Sequence, residues 1–127
     1  MKSEALDSVK TADLVARYIA LSVKQSTAHY EEDVAIAARE YNRLYRATHA
    51  ISDVLRARGV EARNALVPLL QHANPQVRLN AAHQLLAVTH DEAYAALQKL
   101  GDGPPGLFRL RARMALEGLA DGTYKPT

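Results

Sequence analysis

Two stretches of the chain carry one pattern. Val77-Arg78-x-x-Ala81-Ala82-x-x-Leu85-Leu86 lines up with Leu110-Arg111-x-x-Met114-Ala115-x-x-Gly118-Leu119, an offset of 33 residues (Val77 to Leu110). The segments just ahead of them repeat as well: Ala65, Leu66 and Leu69 pair with Ala96, Leu97 and Leu100 at an offset of 31 (Ala65 to Ala96). The extra residues fall in the turn, where Gly103 to Gly106 replaces a shorter Asn-Pro linker. A helix pair of this length cannot bury its apolar face alone, so a period in the thirties requires neighbouring pairs to stack.

Helical periodicity extends through the remaining chain. No stretch alternates apolar and polar residues with period two, and Ala, Leu, Arg, Glu and Gln favour helix throughout. A first helix is expected over 11–28, with Leu14, Val15, Tyr18, Ile19 and Leu21 on one side and Asp13, Arg17 and Lys24 opposite. A second, long helix is expected over 31–58. Its first turn holds Glu31, Glu32 and Asp33, its last turn Arg56 and Arg58, and Gly59 follows; helix dipole and C-cap both favour that order. Its apolar stripe is Val34, Ala37, Ala38, Tyr41, Leu44, Tyr45, Thr48, Ile51 and Leu55. Beyond Gly59 the helices shorten. A third spans 61–71, bent at Pro68. Asn74-Pro75 supplies an N-cap and a first-position proline for a fourth, to about Val88. Thr89-His90-Asp91-Glu92 has capping-box spacing and opens a fifth, ending near Leu100. The sixth runs over 107–119, and 122–127 is a polar tail.

On the fourth helix Val77, Leu79, Ala82, Leu85, Leu86 and Val88 cover an arc of about 200°, wide enough for a helix covered on two sides. Arg78 falls inside that arc and needs a carboxylate or the carbonyls ending a neighbouring helix. Arg78 and its equivalent Arg111 are therefore expected to be structural clamps.

Asn74-Pro75-Gln76-Val77-Arg78-x-x-Ala81-Ala82, after a first helix with leucines and a proline, resembles HEAT-type repeats. From Tyr41-Asn42-Arg43-Leu44-Tyr45 through Gly122 the chain also resembles a family of small bacterial HEAT-like domains of unknown function. In that family a long helical hairpin precedes one good and one divergent repeat. The resemblance implies an all-α fold: a short HEAT-like or armadillo-type right-handed α-α superhelix of about six helices. It implies a single domain over 1–127, with a hairpin over 11–58, a repeat over 61–88 and a divergent repeat over 90–120.

Composition narrows the function classes. Sixteen Lys and Arg against 14 Asp and Glu leave a net charge of +2, too little to argue for a polyanionic partner. There is no Cys, hence no disulfide framework and no thiolate ligand. Glu4 and Asp7 stand where a signal peptide would need an apolar core, and charges interrupt every apolar run. A cytoplasmic protein without a membrane segment is expected.

Catalytic and metal constellations are weak. Five histidines, at 29, 49, 72, 83 and 90, show no i, i+4 pair of the kind a helical zinc site uses. Glu31, Glu32 and Asp33 are explained as a helix start, and the prolines of Gly101-Asp102-Gly103-Pro104-Pro105-Gly106 remove amide donors that a phosphate loop needs. A glycosylase built on HEAT-like repeats would need aromatic and acidic groups in a cationic cleft, and the chain has no Trp. No enzyme activity, cofactor or metal is expected.

Two surfaces remain. Asn80 and Gln84 on the fourth helix align with Arg113 and Glu117 on the sixth, with His83, Arg109 and Leu116 along the margin. Stacked second helices commonly form a partner-binding face, and this residue mixture suits a protein partner. Arg39, Arg43 and Arg46, within about 60° of one another on the second helix, offer an alternative stripe for a nucleic-acid backbone. The expected function is a protein-interaction module, of adaptor or immunity type by analogy of size and fold. It would act as a monomer or homodimer.

Overall fold

The computed structural model describes residues 6–28 and 30–127; Glu4 and His29 lie outside the described residues. Six α-helices lie within them: α1 Thr11–Ala28, α2 Val34–Arg58, α3 Val60–Asn64, α4 Pro75–Leu85, α5 His90–Gly101 and α6 Leu107–Asp121. A 3₁₀ helix spans Val67–Gln71, and no described residue is in a strand. None of these helices is long and apolar enough to cross a membrane. The contacts divide into two compact units, one ending at Ala65 and one running from Leu66 to Thr127.

In the first unit α1 and α2 pack as an antiparallel hairpin. Its seam departs from the expected apolar side of α1. Leu14 and Tyr18 are buried, but the row continues through Ser22, Gln25, Ser26 and Ala28, while Val15, Ile19 and Leu21 are half-buried. On α2 the seam is Leu44, Thr48, Ile51, Ser52 and Leu55. Hydroxyls can sit here because each bonds within its own helix: Thr48 Oγ1 to the Tyr45 carbonyl at 2.8 Å, Ser52 Oγ to that of Thr48 at 3.1 Å, and Ser26 Oγ to that of Val23. The sequence places Thr48 on the buried stripe but not Ser26 or Ser52; locally satisfied, all three are small enough for close helix approach.

The long helix begins at Val34, three residues later than expected, because Asp33 is its N-cap. With φ −79° and ψ 111°, Asp33 is extended, and its Oδ1 accepts from the amides of Ala35 (2.9 Å) and Ile36 (3.1 Å). Glu31 and Glu32 thus precede the helix, and Glu31 Oε1 accepts from the Asp33 amide. At the other end Gly59 adopts φ 113°, where its amide returns to the Arg56 carbonyl. Arg58 closes the open end of the hairpin: Nη1 donates to Thr11 Oγ1 at 3.0 Å, and Nη2 to the carbonyls of Leu6, Asp7 and Val9.

The expected helix over 61–71 is instead two pieces, α3 and the 3₁₀ helix. Pro68 has no amide to give to the Asn64 carbonyl and its ring crowds that turn, so the chain restarts with proline in a first-turn position.

In the second unit α5 packs against both α4 and α6. Asn74 Oδ1 caps α4 through the amides of Gln76 (2.8 Å) and Val77 (3.3 Å), with Pro75 at the first position. The helix ends at Leu85, earlier than expected, because the Val88 and Thr89 amides both return to the Leu85 carbonyl and tighten the chain into a turn. Thr89 occupies the cap position of α5, but at φ −135° and ψ 61° its side chain makes no capping bond, so the capping box is not formed. α6 runs to Asp121, stopped by Gly122 at φ 81°. The internal repeat breaks at the surface: Val77 and Ala81 are 0% exposed, whereas their equivalents Leu110 and Met114 are 57% and 61% exposed. The face that α4 buries is open on α6.

Candidate functional site

The arginines of α2 lie on its solvent side. Arg39, Arg43 and Arg46 are all exposed, and Arg43 is engaged by Glu40 in a two-pronged pair, Nη2 to Oε1 at 2.6 Å and Nε to Oε2 at 3.1 Å. That hydrogen bonding holds the Glu40 carboxyl below its usual range. The middle charge of the stripe is compensated within the helix.

The described histidines are dispersed. His49 lies against the Tyr45 ring and His90 against that of Tyr94, with centroids 4.3 and 5.6 Å apart. His72 Nδ1 accepts the Asn74 amide at 3.0 Å, which places its ring proton on Nε2. Among the described residues no three His, Asp or Glu side chains gather where a metal could bind.

In the second unit the arginines reach for helix ends. Arg78 Nη1 donates to the carbonyls of His72 (2.7 Å) and Ala73 (3.0 Å), in the turn that joins the 3₁₀ helix to α4; its Nε is buried and unbonded. Arg111 is half-buried on α6. Arg113, read from the sequence as a surface residue, turns its Nε to the Gly101 carbonyl at 2.8 Å and so caps the end of α5.

The face expected to join α4 to α6 is divided by the tail. Asn80 Oδ1 accepts from Gln76 Nε2 at 2.9 Å, and Gln84 is half-buried. His83 Nδ1 is 2.8 Å from the hydroxyl of Tyr124, whose amide donates to the Gly118 carbonyl at 3.0 Å. Asp121 steadies the turn before it, its carboxyl held below the usual range by the Thr123 hydroxyl and amide. Gly118, the side of α6 that reaches α4 through Tyr124, lies about 140° around the helix from Arg113 and about 100° from Glu117.

Leu110 and Met114, the repeat equivalents of buried Val77 and Ala81, complete the exposed side of α6. Arg109, Arg113, Glu117, Leu110 and Met114 share an arc of about 140°, while Ala112 and Ala115 turn inward and are buried. Leu110 and Met114 are one turn apart, with charged residues along one flank. Sequence periodicity marks them as wanting cover; the packing shows that none of the described residues buries them.

Tyr124 was equally hidden in the sequence, where the only trace of its site is a glycine inside a helix. A Cβ on Gly118 would stand 2.8 Å from that of Tyr124. Gly118→Ala should gain about 1 kcal/mol of helix propensity but expel the tail. Hydrogen exchange should show Tyr124 amide protection falling about tenfold or more, with no rise in melting temperature. A stabilised variant with Tyr124 still protected would contradict this packing.

No functionally curated protein matches the chain. The crystal structure of the protein RPA1889 from Rhodopseudomonas palustris CGA009 is similar, with 34% sequence identity, a TM-score of 0.87, and coverage of 96% of this chain and 98% of that one. The model of one family, DUF2019, a domain of unknown function, matches residues 12–122. Through nearly its whole length, then, the chain belongs to the DUF2019 family.

Proposed function

We propose that this protein is a non-enzymatic protein-interaction module acting in the cytoplasm, a short right-handed HEAT-like stack whose last helix presents the partner surface. The observation that carries the reading is the exposure of Leu110 and Met114, 57% and 61%, beside Arg109, Arg113 and Glu117 on α6. Apolar anchors with a charged border are what a specific protein interface uses: the anchors supply desolvation, and the border supplies orientation. The HEAT-like part rests on Asn74-Pro75 opening α4, on the repeated Arg-x-x-x-Ala spacing, and on α5 packed between α4 and α6. The nucleic-acid reading of Arg39, Arg43 and Arg46 has less support, because Glu40 already engages the central arginine.

The test is affinity capture from native cells with the intact chain, Leu110→Glu and Met114→Glu. A partner held by the parent should be lost about tenfold or more in both variants, with melting temperatures within about 2 °C. Partners retained by both would place the interface elsewhere. Capture of nucleic acid that fails in an Arg39→Glu, Arg43→Glu double variant would replace this reading with the other.

A further inference from the structure

One flank of α6 carries two arginines that no carboxylate among the described residues neutralises. Arg109 and Arg113 are one turn apart and about 40° from each other around the helix. Neither takes part in an ion pair with a described residue, and no acidic residue stands in the first turn of α6. Glu117, four residues beyond Arg113, has the spacing of an intrahelical pair, yet Arg113 turns to the end of α5 instead. Its Nε donates to the Gly101 carbonyl at 2.8 Å. Its stem lies against the same residue, where a Cβ would stand 3.4 Å from Arg113 Cγ. The guanidinium is thus held by one edge, and its two terminal nitrogens have no partner among the described residues. Leu110 and Met114, exposed and also one turn apart, run beside the arginines. The apolar row and the basic row share one spacing along the helix, about 6 Å.

We propose that the partner segment of this surface is an acidic amphipathic helix, its apolar side chains seated on Leu110 and Met114 and its carboxylates on Arg109 and Arg113. This rests on the reading of α6 as the partner surface and adds the partner's chemistry to it. A guanidinium already fixed at Nε takes a carboxylate in two parallel bonds and loses little side-chain freedom in doing so. Beside an apolar contact such a pair is shielded from water, and it sets orientation and partner choice. A helix repeats its side chains turn by turn, so apolar residues at i and i+4 with Asp or Glu beside them meet both rows of α6 in register. Other occupants match less of the surface. A nucleic-acid backbone would satisfy the arginines but leave Leu110 and Met114 without contacts, and Glu117 would repel it. A second copy of this chain would bring one carboxylate, Glu117, to two arginines, because Asp121 is already engaged by Thr123.

The probe is a display library of helical peptides about five turns long, with Leu, Ile, Met or Phe along one row and Glu, Gln or Lys along the next, selected on the immobilised full chain. Selected peptides should carry Glu in the second row. By fluorescence anisotropy they should bind about tenfold or more tighter than their Lys counterparts. Arg109→Glu should weaken the Glu peptides about tenfold and strengthen the Lys peptides. Arg113→Glu should do the same even where loss of the Gly101 bond lowers its melting temperature, since only the reversed charge lets Lys peptides gain affinity. Leu110→Ala with Met114→Ala should weaken both sets. Peptides that need Leu110 and Met114 but are indifferent to both arginine variants overturn the acidic partner and leave the α6 surface standing. Peptides indifferent to all of these variants bind elsewhere and overturn the surface as well. Enrichment of Lys, a selection without binders, or binding of an oligonucleotide or a second copy through Arg109 and Arg113 overturns the proposal.

Discussion

Ala81→Glu is expected to unfold the second unit, while Met114→Glu, at the equivalent position of the internal repeat, leaves the melting temperature within about 2 °C. Ala81 is 0% exposed on a helix whose Val77, Leu79, Ala82 and Leu85 are also buried. A glutamate there must either carry its charge out of water or push α4 off its neighbours. Either route costs about 4 kcal/mol or more, comparable with the whole stability of a domain this small. Met114 is 61% exposed, and glutamate forms helix nearly as well as methionine. Its repulsion from Glu117 one turn on amounts to a few tenths of a kcal/mol, about 0.3, at an exposed site. Circular-dichroism melts of the two variants decide the matter. Equal losses would mean that the outer face of α6 is covered as fully as that of α4.

That contrast marks where the sequence stops being sufficient. Signals that act within one turn were legible: the Asn74-Pro75 start of α4 and the Gly59 stop of α2 follow from a cap, a missing amide or a positive φ. Periodicity showed which residues want cover but not whether cover exists, so Leu110, Met114, Val34 and Tyr45 were indistinguishable from Val77 and Leu44. Polar residues misled in the opposite direction. Ser26 and Ser52 are buried, a position open to them because each hydroxyl bonds a carbonyl of its own helix. Arg63, 8% exposed, is likewise interior, its guanidinium pKa lowered by burial and by nearby Arg56. Contacts between distant parts of the chain left the faintest trace of all. The Arg113 bond to Gly101 and the docking of Tyr124 on Gly118 depend on where two helices end in space, which no local pattern encodes.

Tyr18 should dominate the stability of the first unit, and it should make that stability fall in alkali. It is 1% exposed in the α1–α2 seam, with its hydroxyl bonded to Ser52. Tyr18→Ala removes an aromatic ring from a hairpin that has little else of that size to collapse into the space, a loss of about 3–5 kcal/mol. Tyr18→Phe should cost about 1 kcal/mol or less, because the Ser52 hydroxyl keeps the Thr48 carbonyl. Burial pushes the phenol pKa well above its ordinary 10.0, against a smaller opposing effect of the Ser52 bond. The unfolded chain therefore releases this proton as pH passes 10, while the folded chain retains it. Stability contributed by the neutral phenol is complete below pH 10 and declines above it by up to about 1.4 kcal/mol per pH unit. Other groups titrate in the same range, so the diagnostic quantity is the difference between parent and Tyr18→Phe in urea unfolding from pH 8 to 11. The parent should lose stability faster above pH 10. Parallel curves would mean that Tyr18 ionises in the folded protein as readily as in water.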